Sequence, residues 1–307
     1  MPLRLPDRLP AIKLLEDENI FVIDETRGHT QDIRPLKVVV LNLMPIKITT
    51  ETDLIRLLSN TPLQIDVTFM KLKTHTSKNT PVEHMQQFYI PFDELREKKF
   101  DGMIITGAPV ENMAFEEVDY WPEVSEIFDW ARTHVTSTLY ICWAAQAALY
   151  HFHNIPKYGL PKKMFGVFPQ TINERFANDP LFRGFDEVFQ MPHSRHTEVK
   201  REDILMNKDL SLVVNSKESG VGIVTARGGR EIFITGHMEY NPDTLDGEYM
   251  RDLGKRNDVE LPKHYYKDND HRKGPIVTWR AHANLFYHNW INYYIYQRTP
   301  YNIDEIC

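Results

Sequence analysis

Short apolar segments recur along the chain, and they predict the strands of one sheet. Residues 36–43 (LKVVVLNL) are almost entirely apolar, which is typical of a strand covered on both faces. Residues 63–72 alternate instead, with Ile65, Val67 and Phe69 on one side. Further segments of this kind occupy residues 102–106, 138–142, 211–215 and 231–235.

Helical periodicity lies between these strands. Residues 121–134 place Val124, Ile127, Phe128 and Ala131 at the i, i+3, i+4 and i+7 spacing of one helix face. Other helices are predicted over residues 50–58, 143–152, 242–253 and 284–297. Strands that alternate with helices indicate an α/β fold, with a mostly parallel sheet and helices on both faces.

The composition is that of an ordinary globular protein. The 307 residues include 36 Lys and Arg against 43 Asp and Glu, which gives a net charge of −7. The 42% of apolar residues argue against disorder, the two cysteines exclude a disulfide scaffold, and the acidic balance gives no reason to expect nucleic acid. Residues 1–10 lack the apolar core of a secretory signal, and no apolar run is long enough for a membrane span. We therefore expect a cytoplasmic protein with no nucleic-acid or membrane partner.

The domain organisation is predicted to be simple, because no internal repeat or Gly/Ser linker interrupts the pattern. We expect a single α/β domain over residues 36–301. An N-terminal extension over residues 1–35 would pack on this domain, and residues 302–307 would form a C-terminal tail. The polar residues 254–275 are predicted to form a surface loop.

Cys142 ends an apolar segment and is followed at once by a good helix sequence, WAAQAA. A sharp turn from strand to helix would expose its side chain in the crevice at the strand ends. The N-terminus of the following helix favours a thiolate, and the backbone N–H of Trp143 is free to bind a developing oxyanion. The segment alone leaves open whether Cys142 is such a nucleophile or a buried apolar cysteine.

His237 and Glu239 favour the catalytic interpretation. They follow the apolar segment 231–235 with one residue between them, so both side chains lie on the same side of an extended chain. A carboxylate in this position can hold the imidazole tautomer while the imidazole takes the thiol proton. We therefore predict that Cys142, His237 and Glu239 form a catalytic triad.

The order of a cysteine followed by His-x-Glu resembles the class I glutamine amidotransferases. This resemblance implies their flavodoxin-like α/β fold. Those enzymes normally carry glycine on both sides of the cysteine, whereas Ile141 and Trp143 flank Cys142 here. The difference argues against glutamine hydrolysis.

Longer motifs resemble a more specific family, the cysteine-dependent homoserine O-acyltransferases of the amidotransferase-like type. The resemblance extends over residues 1–301. It rests on residues 34–47 (RPLKVVVLNLMPIK), 57–64 (LLSNTPLQ), 101–102 (DG), 106–109 (TGAP), 120–122 (YWP), 134–138 (HVTST), 192–195 (PHSR), 290 (W) and 292–294 (NYY).

The resemblance implies a ping-pong reaction in methionine biosynthesis. The cysteine accepts an acyl group from acyl-CoA as a thioester and passes it to the hydroxyl of L-homoserine. Cys142 would be the acyl-thioester nucleophile, His237 the proton acceptor and Glu239 its orienting partner. Acyl-CoA would be a co-substrate, no cofactor would be permanently bound, and the enzyme would be a homodimer.

The resemblance also implies the substrate contacts. Lys163, Ser194 and Arg251 match the positions that bind homoserine in the family, and a guanidinium suits the homoserine carboxylate. Lys162 is an alternative to Lys163. Lys47 would add positive charge near the oxyanion, which Trp143 would bind through its N–H. The second oxyanion donor would come from the backbone of residues 107–109.

Glu111 bears on the acyl donor. In the family, a glycine at this position accompanies succinyl-CoA and a glutamate accompanies acetyl-CoA. A carboxylate beside the acyl group occupies volume and repels the free carboxylate of a succinyl group. The resemblance therefore implies a homoserine O-acetyltransferase, with a homoserine O-succinyltransferase as the alternative.

The sequence leaves two further interpretations. A non-catalytic binding module with an amidotransferase-like fold is a second alternative, and the intact triad argues against it. His193 and His196 have a spacing that could bind a metal ion on a helix, but Pro192 and the lack of a matching third ligand argue against a metal site. We therefore expect no metal.

Overall fold

The computed structural model describes residues 3–5, 22–24, 34–75, 79–254 and 259–306. Two short strands, β1 and β2, pair in parallel as a small separate sheet. The other ten strands form one continuous sheet. The strands are β1 Leu3–Leu5, β2 Val22–Asp24, β3 Leu36–Leu41, β4 Ile65–Lys71, β5 Tyr89–Pro91, β6 Phe100–Ile105, β7 Val135–Ile141, β8 Tyr158–Ile172, β9 Val188–Glu198, β10 Leu210–Ser216, β11 Gly220–Ala226 and β12 Glu231–Ile234.

The large sheet has a parallel half and an antiparallel half. Its strand order is β5-β4-β3-β6-β7-β12-β11-β10-β8-β9. The strands from β5 to β12 in this order are mutually parallel. From β12 onward each neighbour is antiparallel, and β8 and β9 form a long hairpin at the edge. The carboxyl ends of β3, β6, β7 and β12 therefore meet at one edge of the parallel half.

Helices cover both faces of the parallel half. The helices are α1 Lys47–Leu58, α2 Val82–Phe88, α3 Trp121–His134, α4 Trp143–His153, α5 Arg201–Met206, α6 Thr244–Leu253 and α7 Arg280–Asn289, and α7 continues as a π-helix over Trp290–Tyr296. Helices α3 and α4 share one apolar core with alternate residues of the strands. Helices α1 and α7 share a second core with the other alternate residues. The π-helix packs so closely on β6 that a Cβ on Gly102 would clash with Cδ1 of Ile295.

The predicted fold class is confirmed in the parallel half, where strands and helices alternate along the chain. The antiparallel half departs from the prediction, since the β8–β9 hairpin and β11 were not expected. Residues 254–275 are also more than a surface loop. Tyr265 and Tyr266 within this segment are buried against Trp279 in a third apolar cluster.

The predicted extension over residues 1–35 lies largely outside the described residues, as does Cys307 at the end of the predicted tail. The boundaries of the single domain and of the two terminal segments therefore stay predictions. Among the described residues, no helix is both long enough and apolar enough to cross a membrane.

Candidate active site

Cys142 lies at a tight turn between β7 and α4. Its backbone has φ 53° and ψ −111°, in a region that non-glycine residues rarely adopt. Its N–H donates to the carbonyl of Ile234 on the neighbouring strand β12 at 2.7 Å, which fixes the turn to the sheet. Cys142 is 7% exposed and is the N-cap of α4. The predicted sharp turn from strand to helix is therefore present at Cys142.

His237 and Glu239 follow β12, the strand that pairs in parallel with β7. Ile141 and Ile234 are partners at the ends of these strands, so the chain segments after them begin side by side. Nδ1 of His237 and Oε1 of Glu239 lie 2.6 Å apart, and both side chains are buried. The N–H of His237 also donates to the carbonyl of Pro192 on β9 at 2.8 Å. Two strands thus hold the imidazole in place.

The electrostatics of the triad favour a charged imidazole. Burial alone would lower the pKa of His237, but the negative charge of Cys142, the negative charge of Glu239 and hydrogen bonds with both outweigh it. The pKa of His237 is therefore raised well above 6.5. A thiolate and an imidazolium are the matching charge states for a cysteine nucleophile beside a histidine.

The turn after β6 closes the site around the cysteine. A Cβ on Gly107 would lie 3.3 Å from the Cβ of Cys142 and 3.6 Å from Cε1 of His237, so glycine permits this close approach. Trp143 is the first residue of α4, and its N–H is one of the N-terminal donors that have no acceptor within the helix. The turn and the helix therefore flank the same sulfur.

A cavity of about 490 Å³ opens on this sulfur. Cys142 and His237 form part of its wall, together with Met44 from the turn after β3 and Gly107 and Ala108 from the turn after β6. Four of the sites predicted from sequence also line it, namely Glu111, Lys163, Ser194 and Arg251. The structure thus brings these predicted residues together with the cysteine and the histidine.

Lys163 and Ser194 meet at one carboxylate. Lys163 lies on β8 and Ser194 on β9, and both donate to Oε2 of Glu248 on α6, with a distance of 3.0 Å for Nζ of Lys163. Nζ of Lys163 also lies 3.4 Å from Oδ2 of Asp252. The antiparallel hairpin and α6 therefore form one polar wall of the cavity.

Arg251 completes this wall from the solvent side. Its Nε donates to Oδ1 of Asp252 at 3.0 Å, and about half of its side chain is exposed. Burial would raise the pKa of Asp252, but hydrogen bonds and charges from Arg251 and Lys163 outweigh it and lower the pKa below 3.8. The wall therefore offers both guanidinium donors and ionised carboxylate acceptors to a ligand.

Glu111 is fixed in the wall of the cavity, against strand β9. Its Oε2 accepts the backbone N–H of His196 on β9 at 2.8 Å, and its own carbonyl accepts from Nζ of Lys157 at 2.7 Å. A carboxylate held in this way keeps its place in the cavity wall.

Lys162 and Lys47 lie outside the set of residues that line the cavity. The side chain of Lys162 is 74% exposed and pairs with Glu260, which leaves Lys163 as the lysine of the cavity. Nζ of Lys47 donates to the carbonyls of Asn42 and Met44, and burial lowers its pKa to about 8. Lys47 therefore holds the turn that carries Met44.

Sequence reasoning missed Glu248, Asp252 and Tyr240 as cavity residues. A helix-face argument could have found the first two, because Glu248, Arg251 and Asp252 have i, i+3 and i+4 spacing on α6. His196 was weighed only as a metal ligand, but it lines the cavity, whereas His193 is fully buried beside Arg195. Among the described residues, no group of three or more His, Cys, Asp or Glu is arranged to hold a metal ion.

Solved structures with this fold include glutamine amidotransferases. The chain superposes on a glutamine amidotransferase from Thermotoga maritima with a TM-score of 0.53 and 12% identity, covering 84% of this chain and 98% of the other. A second one, from Methylobacillus flagellatus, gives a TM-score of 0.52 and 10% identity over 85% and 95% of the two chains. The predicted amidotransferase-like fold is confirmed.

Sequence comparison gives the family. The family model described as "Homoserine O-succinyltransferase" matches residues 2–301. The chain belongs to this homoserine acyltransferase family. The predicted resemblance to homoserine acyltransferases is therefore confirmed.

Two members of this family, both named "Homoserine O-acetyltransferase", illustrate the similarity. The relative from Bacteroides thetaiotaomicron is 66% identical over 306 residues, with all of both chains covered. The relative from Desulfitobacterium hafniense is 55% identical over 306 residues and covers 100% of this chain and 99% of its own. The family description thus names succinyl transfer, whereas these relatives are named for acetyl transfer, in agreement with the prediction from Glu111.

Proposed function

We propose that this chain is a homoserine O-acetyltransferase, which transfers acetyl from acetyl-CoA to the hydroxyl of L-homoserine through a thioester on Cys142. The observation that carries the proposal is the cavity in which the buried Cys142 and His237 face Glu111, Lys163, Ser194 and Arg251. The names of relatives that are 55–66% identical over the full chain support the acetyl donor. Acyl-CoA thioesters are intracellular, so we infer a cytoplasmic enzyme of methionine biosynthesis.

The first half-reaction loads the cysteine. The Cys142 thiolate attacks the acetyl carbonyl of acetyl-CoA, and the developing oxyanion lies near the N–H of Trp143 and the turn at Gly107 and Ala108. The C–S bond to CoA breaks, and the CoA sulfur takes the proton of the His237 imidazolium. Acetyl-Cys142 and neutral His237 remain, with Glu239 holding Nδ1 at 2.6 Å.

The second half-reaction transfers the acetyl group from Cys142 to homoserine. His237 takes the proton of the homoserine hydroxyl as the hydroxyl oxygen attacks the thioester carbonyl. The C–S bond to Cys142 then breaks, which regenerates the thiolate–imidazolium pair and releases O-acetyl-L-homoserine. No bound cofactor is required, because acetyl-CoA supplies the acyl group and the leaving thiol.

The polar wall suits a zwitterionic amino acid. Arg251 presents its guanidinium to the cavity and can bind the homoserine carboxylate. Glu248 and Asp252 can accept the ammonium, with Lys163 and Ser194 fixing the orientation of Glu248. This arrangement holds the amino-acid end of homoserine and leaves its hydroxyl free to reach the thioester.

Glu111 selects the donor. Its carboxylate is a fixed negative charge in the cavity wall, because the N–H of His196 holds Oε2 at 2.8 Å. The terminal carboxylate of a succinyl group would meet this charge at close range, whereas an acetyl group carries no charge.

The homodimer implied by the family resemblance stays a prediction.

Intact-mass spectrometry after incubation with acetyl-CoA alone tests the proposal. We expect the wild-type chain to gain one acetyl group on Cys142 with release of one CoA, and to lose it on addition of L-homoserine. The Cys142→Ala variant should gain nothing and show no turnover. A wild-type chain that stays unmodified, or a Cys142→Ala variant that keeps near-normal turnover, would contradict the mechanism.

A further inference from the structure

Tyr240 connects the catalytic histidine with the polar wall of the cavity. Its ring stacks on the His237 imidazole with centroids 4.1 Å apart and planes 13° from parallel. Its hydroxyl donates to Oε1 of Glu248 at 3.3 Å, and its carbonyl accepts from Nε1 of Trp279 at 2.9 Å. Tyr240 is 8% exposed, so both ends of its ring are fixed inside the protein.

The stack restrains the imidazole in a direction that hydrogen bonds to its ring nitrogens do not. Glu239 contacts the imidazole at Nδ1, and Cys142 also hydrogen-bonds with the His237 side chain, so both contacts are made at the edge of the ring. Neither contact opposes a tilt of the ring out of its plane. The face of Tyr240 does, and the face of an aromatic ring also stabilises a positively charged imidazole.

The hydroxyl of Tyr240 has a different partner. Oε1 of Glu248 accepts a hydrogen bond from the Tyr240 hydroxyl, whereas Oε2 accepts from Lys163 and Ser194. Burial, together with the carboxylates of Glu248 and Glu239 and the charge of Cys142, raises the pKa of Tyr240 well above 10.0. The hydroxyl therefore stays protonated and serves as a donor to Glu248.

We propose that Tyr240 is a positioning residue with two separable functions: its ring holds the His237 imidazolium, and its hydroxyl orients Glu248 for the amino-acid substrate. This inference rests on the proposed function for the identity of that substrate. The ring then serves both half-reactions, whereas the hydroxyl serves only the second. The titratable and charged groups near His237 are Cys142 at the turn before α4, Glu239 and Tyr240 on its own segment, His193 and Arg195 on β9, and, beside Glu239, Asp53 on α1 and Tyr287 on α7.

Two variants separate the functions. Tyr240→Phe keeps the stack and removes the hydroxyl, and Tyr240→Leu removes both. Tyr294→Phe is the matched control, because its hydroxyl bonds Asp179 away from the cavity. Three rates are measured for each: acetylation of Cys142 by acetyl-CoA, transfer from acetyl-Cys142 to L-homoserine in a single turnover, and alkylation of Cys142 by iodoacetamide as a function of pH.

We expect Tyr240→Phe to acetylate Cys142 within about twofold of the wild-type rate and to transfer acetyl about tenfold more slowly, as for the loss of one hydrogen bond to a charged group. Tyr240→Leu should slow both half-reactions. The midpoint of its alkylation rate against pH should also move about one unit higher, because the imidazolium loses the aromatic ring stacked on it and then stabilises the Cys142 thiolate less. Tyr294→Phe should match the wild type in all three.

Equal effects of Tyr240→Phe on the two half-reactions, or wild-type transfer by this variant, would overturn the function assigned to the hydroxyl. An unchanged alkylation profile in Tyr240→Leu would overturn the function assigned to the ring. A wild-type chain that is not acetylated would refute the proposed function instead, and the alkylation profiles would still decide whether the ring holds the imidazolium.

Discussion

The two halves of the sheet contribute different groups to the same cavity. The parallel half supplies Cys142 after β7, His237 after β12 and Gly107 after β6, all at carboxyl ends of neighbouring strands. The antiparallel half supplies Lys163 on β8 and Ser194 on β9, which meet Glu248 on α6. In the proposed function, one half carries the covalent chemistry, and the other carries the recognition of the amino acid.

The shared fold alone does not account for this proposed division. Solved amidotransferases share the fold at 10–12% identity, so the sheet and its strand-end crevice do not specify the substrate. In this chain, the β8–β9 hairpin and α6 form a wall of charged groups in the cavity that holds Cys142. The comparison predicts that changes in the parallel half abolish both half-reactions, whereas changes in the antiparallel wall impair only the second.

Replacement of His237 should have the largest effect. His237→Asn removes the proton acceptor and the charge that stabilises the thiolate, so we expect kcat/KM to fall about a thousandfold or more. Both acetylation of Cys142 and transfer to homoserine should be affected, measured separately by rapid-quench mass spectrometry. His264→Asn, which changes an exposed histidine, is the control. Normal acetylation in His237→Asn would show that the parallel half does not act as a unit.

Replacement of Arg251 should affect one half-reaction. Arg251→Ala removes the guanidinium proposed to bind the homoserine carboxylate, so we expect the KM for homoserine to rise about ten- to a hundredfold. The rate of thioester formation from acetyl-CoA should remain within about twofold of the wild type. Arg272→Ala, which changes an exposed arginine paired with Asp270, serves as the control. A loss of thioester formation in Arg251→Ala would argue against a division between the two halves.

The same contrast determines how much of the structure the sequence could predict. Helix α3 spans Trp121–His134 as predicted, because its apolar spacing is regular and Pro122 lies in its first turn. The hairpin β8–β9 could not be found from single segments. Pro161 and Gly166 interrupt β8, and only five of its fifteen residues are buried, so its stability comes from pairing with β9.

The candidate site follows the same rule. Cys142 and His237 come directly after apolar strands, so local sequence was enough to predict that they lie together. Glu248 reaches Lys163 across 85 residues of chain and Ser194 across 54, and no local pattern encodes these contacts. The family resemblance supplied Lys163, Ser194 and Arg251, whereas the structure was needed for Glu248 and Tyr240.

Substitution of Glu111 tests the selection of the acyl donor. Glu111 follows β6 of the parallel half and is held by His196 on β9 of the antiparallel half. Glu111→Gly removes the fixed carboxylate, so we expect the ratio of kcat/KM for succinyl-CoA to that for acetyl-CoA to rise about tenfold or more. Glu111→Gln keeps the volume and an acceptor for the N–H of His196, and it separates repulsion from steric exclusion. If charge dominates, the two variants should have similar ratios. Clear succinyl preference in the wild type would reverse the assignment of the donor.

The smallest expected effect concerns stability. The pKa of His237 is raised above 6.5 in the folded state, so the stability it contributes is fully present below about pH 6.5 and is lost as the pH rises through the raised value. Glu239 is one of the groups that raise the pKa of His237. It contacts the imidazole through Oε1, whereas its Oε2 is buried without a hydrogen-bond partner among the described residues. Glu239→Gln should therefore lower the free energy of unfolding by about 1–2 kcal/mol at about pH 6, and by progressively less as the pH rises through the raised pKa. Urea denaturation over a series of pH values from about 6 upward measures this, with Glu187→Gln as a control that removes an exposed carboxylate. A loss of stability that stays constant up to the highest pH at which the protein remains folded would mean that Glu239 supports the fold without charging the imidazole.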